Sequence, residues 1–164
     1  MAITRGRETT MSDPSNGNPA PIWWGGELPD LARVNAMGAA SMQGWVGIEF
    51  VAAGADWLAA RMPVTARTHQ PHGRLHGGAS VVLAETVASV AGSLTLDPAG
   101  FAAVGLEINA NHLRPVRDGW VEAIARCEAR GRTTQVWTIH IRDQEGRLAC
   151  LSRCTLAVIA RDRA

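Results

Sequence analysis

One carboxylate stands almost alone in an oily stretch of this chain. From Gly77 to Leu96, twenty residues, Glu85 is the sole charged side chain among Ala, Val, Leu, Gly, Ser and Thr. A helix apolar on nearly every face belongs inside a protein. A buried ion costs several kcal/mol unless it is partnered or neutral, an effective penalty of about that size. A structural carboxylate held by an arginine or by backbone amides is one explanation of Glu85. Its company supplies another. Ser89 lies four residues on, on the same helical face. His76-Gly77-Gly78 opens the helix, where free N–H groups and the helix dipole favour negative charge. A carbonyl resting on the Gly77 N–H would be polarised for attack, its developing oxyanion already solvated.

A single distance decides how these groups can cooperate. Gly77 and Glu85 are eight residues apart, so one helix separates them by roughly 12 Å. A general base or nucleophile has to approach within about 3 Å of its target. Glu85 therefore cannot serve a carbonyl bound at the Gly77 of its own chain. If both act on one substrate, the helix end comes from one subunit and the carboxylate from another.

The elements that must hold these groups are legible in the pattern. Trp23 and Trp24 are expected to act as apolar anchors, and Leu28 to Met42 to form a short helix. Trp45 to Ala53 and Trp57 to Val64 read as a hairpin turning at Gly54-Ala55-Asp56. A loop, Thr65 to Leu75, leads to the central helix, and Asp97-Pro98-Ala99-Gly100 leads away from it. Strands follow over Ala102 to Leu113, Trp120 to Ala129, Thr134 to Arg142 and Leu148 to Ile159. Asp118-Gly119, Gly131-Arg132 and Gln144-Glu145-Gly146 mark the turns. The class is α+β, an antiparallel sheet wrapped around one apolar helix, in a single domain over 22–160. Residues 1–21, rich in Ser, Thr, Asn, Gly and Pro, read as a mobile tail without the apolar core of a secretory signal. Residues 161–164 form a short basic end.

Composition narrows the partners. With 46% hydrophobic residues and 16 basic against 15 acidic side chains, the chain reads as an ordinary soluble protein. A basic stripe is missing and stacking Tyr and Phe residues are scarce, which argues against a nucleic-acid surface. The apolar helix is nearly long enough for a membrane span, but Glu85, Gly92 and the strands beyond it favour a buried core helix. Cys127, Cys150 and Cys154 fall in strands. The last two lie about 13 Å apart along one strand, too far to bridge. All three read as reduced thiols of a cytosolic protein. The histidine spacing His69, His72, His76 brings zinc to mind, but no Cys or carboxylate of the loop completes a ligand set.

Three stretches, MPVTARTHQPHGRLHGGASVVLAETVAS, EINANHLRPVRDG and the RTT after Gly131, resemble the hotdog-fold acyl-CoA thioesterases. The branch resembled includes dihydroxynaphthoyl-CoA, hydroxybenzoyl-CoA and phenylacetate-pathway thioesterases, and the resemblance runs from about Ile22 to Ile159. It implies a hotdog fold and hydrolysis of an acyl-CoA, with an aromatic or hydroxyaromatic acyl group. By matching position, Glu85 is the catalytic carboxylate, as nucleophile or as general base on water. Gly77 polarises the carbonyl, Gln70 positions the thioester or water, His76 assists near the leaving thiolate, and Ser89 orients water or Glu85. Arg114, Arg132 and Thr133 match coenzyme A contacts; Gly78, Val82 and His72 are further substrate- or coenzyme A-binding positions. Arg161 and Arg163 offer further charge for a phosphate, though a solvated basic edge explains them as well. No cofactor or metal is implied, and the partner is a second copy of the chain, most simply in a dimer of dimers. His72 and Arg74 depart from the aromatic or aliphatic residues of close relatives. Arg132 replaces a small hydroxyl residue of one branch. A non-catalytic acyl-CoA sensor and an acyl-CoA hydratase or dehydratase are the rival readings on the same fold.

Overall fold

A computed structural model describes residues 20–161. The predicted tail, apart from Ala20 and Pro21, and Arg163 lie outside the described residues. Eleven elements follow in order: α1 (Leu31–Gly38), α2 (Met42–Val46), β1 (Glu49–Ala53), β2 (Trp57–Pro63), β3 (His69–Gln70), β4 (Arg74–Leu75), α3 (Gly77–Leu94), β5 (Phe101–His112), β6 (Trp120–Arg130), β7 (Thr134–Asp143) and β8 (Leu148–Ala160). Six strands make one antiparallel sheet in the order β1-β2-β6-β7-β8-β5, and β3 pairs with β4 in a small separate ladder.

Local chemistry explains where the elements differ from the sequence reading. The single helix expected over 28–42 is two. Asp30 caps α1 by accepting from the N–H groups of Ala32 and Arg33. Ser41 then caps α2 by accepting from the Gln43 N–H, and Gly47 closes it in the left-handed region at φ 77°. A serine that satisfies the free N–H groups of a new first turn starts a helix of its own. Trp45 consequently belongs to α2, and the first strand begins at Glu49 rather than Trp45. Trp23 is an anchor: it is buried and donates its indole N–H to the Gly54 carbonyl. Trp24 is not, being 58% exposed. The loop before α3 contains β3 and β4, whose turn is closed by Gly73 at φ 69°.

The core lies between α3 and one face of the sheet. Leu83, Ala84, Val87, Ala88 and Ala91 are fully buried there. They meet Leu58, Ala60 and Met62 of β2, Val121, Ala123 and Ala125 of β6, and Trp137, Ile139 and Ile141 of β7. The thiols of Cys150 and Cys154 are buried in β8, and Cys127 is half-buried; all three are free. One expectation is corrected here. The helix is not enclosed on nearly every face, since this chain supplies a sheet on one side of α3 only. Glu85 lies on the open flank of the helix, over the edge strand β5, and is exposed.

The far end of α3 is pinned by a buried polar chain. Trp137 donates its indole N–H to Gln135 Oε1 at 3.0 Å, and Gln135 Nε2 donates to Thr95 Oγ1 at 2.9 Å. Thr95 in turn donates to the Gly92 carbonyl at 2.8 Å. With every member satisfied, such a network fixes one arrangement of helix on sheet. A Cβ at Gly92 would fall 2.3 Å from Leu156 Cδ1 and 2.8 Å from Gln135 Oε1, both on fully buried side chains. Gly92→Ala is expected to destabilise by about 1–3 kcal/mol through overpacking, exceeding the ~1 kcal/mol that alanine gains over glycine in a helix. A thermal or denaturant melt checks this.

The β7–β8 turn rests on Asp143, whose side chain is buried. It accepts from the Glu145 and Arg147 N–H groups and from Arg147 Nε at 2.7 Å. Burial pushes its carboxyl upward, but the hydrogen bonds and charge of Arg147 outweigh that and hold it below the ordinary carboxylate range. A carboxyl lowered in the native state stabilises fully above its unfolded pKa, and that contribution is lost as pH falls through the native one. Asp143→Asn is therefore expected to lower the melting temperature at pH 7, with the gap from the parent closing as the pH is taken below the carboxylate range.

Candidate active site

Helix α3 begins where the chain turns out of β4. His76 is extended and caps the helix, its Nδ1 accepting from the Gly78 N–H at 2.8 Å. That bond requires an unprotonated Nδ1, so in the neutral ring the proton sits on Nε2, available as a donor. The His76 N–H is itself held by the Thr68 carbonyl at 2.8 Å. Thr68 is buried, and its hydroxyl ties the preceding loop to the carbonyls of Pro63 and Thr65. The helix entrance is thus fixed to β2 through a polar loop, with Gly77 first in line at the positive end of the dipole.

Gln70, Gly77 and Arg114 line one open cleft of about 340 Å³, together with Ser80, Arg74 and His112. Gln70 Oε1 accepts from the His72 N–H in a very short contact, which leaves its NH2 group to donate elsewhere. Arg114 follows the end of β5, with its N–H on the Ala149 carbonyl at 3.2 Å and its side chain exposed at the cleft. His72 is exposed at the tip of the β3–β4 turn, and Arg74 donates to its carbonyl. His69 turns Nε2 to the Arg117 carbonyl at 2.9 Å and is engaged in the loop's own structure.

His112 was not among the residues the sequence singled out. It ends β5 with its ring against the helix entrance, where a Cβ on Gly77 would stand 2.8 Å from His112 Nε2. Glycine at position 77 thus makes room for an imidazole as well as exposing an N–H. The signal in the sequence was the NHLRP segment, in which the arginine drew attention away from the histidine two residues before it.

Glu85 and Ser89 are elsewhere. Ser89 lies on the side of α3 turned away from its own sheet, and Glu85 on the exposed flank of the helix over the edge strand β5. Ser89 lines a separate groove between α3 and α1 with Val34, Met37, Gln43 and Val90. Val82, one turn before Glu85, is half-buried against the core. Glu85 makes no hydrogen bond or ion pair among the described residues; its carboxylate lies over β5, beside Gly105. Its charge also reaches the buried Cys154 thiol, which burial first, then Glu85 and Glu107, push up to about 11. Arg132 and Thr133 sit in the β6–β7 turn. That turn is at the opposite end of β7 from Ile141, and Ile141 pairs with Cys150, the partner of His112. Seven residues of strand put Arg132 and Thr133 roughly 23 Å from the cleft. Arg161, exposed, donates to the Phe101 carbonyl at 3.0 Å at that same far end.

One sheet curled against one long helix, whose N-terminus opens a polar cleft, is the hotdog architecture, and comparison with known proteins agrees. The thioesterase superfamily model matches residues 72–150. The chain is 50% identical over 129 residues to the 1,4-dihydroxy-2-naphthoyl-CoA hydrolase of Escherichia coli, covering 79% of this chain and 94% of that protein. It is 46% identical, again over 129 residues, to the proofreading thioesterase EntH of Cronobacter turicensis, covering 79% and 93% of the two. Among solved structures, a mutant of thioesterase PA1618 from Pseudomonas aeruginosa superimposes with a TM-score of 0.83 at 46% identity, over 85% of this chain and 99% of that one. The chain belongs to the thioesterase superfamily and is a hotdog-fold thioester hydrolase.

The contact at the helix entrance can be tested directly. Gly77→Ala is expected to turn the His112 ring aside, read as a shift of its imidazole resonances in a 1H–15N spectrum. Unchanged resonances would show that the two do not touch.

Proposed function

We propose that the protein hydrolyses an acyl-CoA, with an aromatic or hydroxyaromatic acyl group, to the free acid and coenzyme A in the cytoplasm. The reading rests on one observation. The groups able to hold a carbonyl and the groups able to attack it occupy separate faces of α3, roughly 12 Å apart along a stiff rod, and each face is open. A second copy of the chain, placing its Glu85 and Ser89 over the Gln70–Gly77 cleft, completes the set.

In that arrangement the thioester carbonyl accepts from the Gly77 N–H, with the Gln70 NH2 and the His76 Nε2–H as neighbouring donors. Glu85 of the other subunit either takes a proton from water as it attacks the carbonyl carbon or attacks that carbon itself. Negative charge moves to the carbonyl oxygen, where the donors are already aimed. Collapse of the tetrahedral intermediate breaks the C–S bond and expels the thiolate of coenzyme A. In the second route, water then cleaves the mixed anhydride on Glu85. Ser89, one turn from Glu85, orients the water or the carboxylate. Arg114 and Arg74 line the cleft as cations for the phosphates of the coenzyme. Arg132 and Thr133, too distant in their own chain, reach a nucleotide only from another subunit.

The second copy has a place to dock. β5 is an edge strand carrying Val104 and Leu106 at 41% and 61% exposure, with no proline and with Glu107 as its one carboxylate. Two β5 edges meeting would join the sheets and bring the open faces of the two α3 helices together, in a dimer that can pair again. The acyl group is then received near the apolar groove of Val34, Met37 and Val90. The named activity of the Escherichia coli relative on 1,4-dihydroxy-2-naphthoyl-CoA supports an aromatic acyl group.

Free-thiol release from a panel of aromatic and aliphatic acyl-CoA thioesters tests the reading. Glu85→Ala is expected to lower kcat on the best aromatic substrate by about 10²–10⁴-fold with the fold and coenzyme A binding retained. Near-normal hydrolysis by that variant would end the assignment. Mixing Gln70→Ala chains with Glu85→Ala chains should restore up to about one quarter of the sites, because each mixed dimer carries one intact composite site. No recovery after confirmed subunit exchange would place both residues in one chain's site.

A further inference from the structure

The carboxylate of Glu85 is aimed by something other than a hydrogen bond. It lies against β5 at Gly105, close enough that a Cβ there would stand 3.1 Å from Glu85 Oε1. That is tighter than ordinary van der Waals contact. Gly105 sits in the interior of a twelve-residue strand, where glycine weakens pairing and marks a close approach. The ladder is also interrupted at this point: Gly105 faces Leu156 and Glu107 faces Thr155, so Leu106 is an extra residue. Bulges of this kind re-aim side chains beside functional sites. Here the bulge changes the inward spacing along β5 from two residues to three. Gly105 opposite buried Leu156 and Ile108 opposite buried Cys154 therefore both face α3.

We infer that Gly105, with the bulge at Leu106, is a positioning element for Glu85: the missing side chain forms a seat over which the carboxylate lies, fixing its direction from the helix. The inference rests on the proposed role of Glu85 and adds a residue to it. A methyl group at 105 has to push either the carboxylate or the strand by a few tenths of an ångström. The strand is bonded to β8 on both sides of the bulge, whereas the carboxylate makes no hydrogen bond or ion pair among the described residues. The carboxylate is what gives way.

A four-protein cycle tests this: parent, Gly105→Ala, Glu85→Gln and the double variant, assayed on the best acyl-CoA substrate with melting curves for each. Gly105→Ala is expected to lower kcat by up to about 10-fold, below the ~10²-fold that a full 1 Å displacement can cost, with KM within about twofold, as for a group that acts on the chemical step alone. The same change in the Glu85→Gln background should cost nothing further. Gly105→Ala/Glu85→Asp, whose shorter carboxylate returns the room, should lose less relative to Glu85→Asp than Gly105→Ala loses relative to the parent. Equal losses in both backgrounds, or parent-like kcat in Gly105→Ala, would overturn the inference while leaving Glu85 in its role. A Glu85→Gln enzyme as active as the parent would remove the role itself and the inference with it. If Gly105→Ala does not fold but Glu85→Ala/Gly105→Ala does, the clash is confirmed; if neither folds, glycine serves the strand and the inference fails.

Discussion

A helix is stiff, and the chemistry of this protein has to be arranged around that stiffness. Gly77 and Glu85 belong to one rod, so no loop movement or side-chain rotation can bring the helix entrance and the carboxylate together in one chain. The consequence reaches through the fold. α3 needs one face for its own sheet, which Leu83, Ala84, Val87, Ala88 and Ala91 supply. The rest of its surface is left open by this chain, and there lie the one carboxylate of the helix and two of its serines. The apolar character of nearly the whole segment then has a double source: half of it fills the core, and half borders a surface that a single chain leaves uncovered.

Small residues do much of the fitting along this helix. Gly92 lets α3 approach Leu156 and Gln135, Gly77 admits the ring of His112, and Gly105 on the facing strand admits Glu85. Each is a place where the absence of a Cβ brings two groups into contact that would otherwise be held apart. None of the three has a positive φ. Their value lies in space rather than in backbone freedom, unlike Gly47, Gly73 and Gly146, which turn the chain.

Much of this was readable from the residues. The period-two pattern of Val121, Ala123 and Ala125 placed β6, and the lone glutamate in an oily segment marked the helix and its odd member. The His76-Gly77-Gly78 entrance stands out by type and spacing and Gln70 by the family resemblance, and the structure places Gln70 and Gly77 in one cleft with Arg114. What could not be read depends on contacts distant in sequence. Ser41 divides the first helix because its hydroxyl reaches the Gln43 N–H, and alanines around it hide the break. His112 meets Gly77 across 35 residues of chain, and no local pattern announces such a meeting. The exposure of Glu85 in a single chain is hidden from the sequence for a related reason: hydrophobicity tells that a surface will be covered, but not whether the same chain covers it.

The anchored far end of α3 also sets a mechanical tolerance. The helix is 18 residues long, about 27 Å at 1.5 Å per residue, and the Gln135–Thr95 bond acts as the fulcrum of a lever. A rotation of only about 2° there sweeps the N-terminal glycine through roughly 1 Å, and in the proposed mechanism an error of that size costs on the order of 10²-fold in rate. Buried hydrogen bonds at the end of the molecule farthest from the cleft thereby govern the aim of the amide at its mouth.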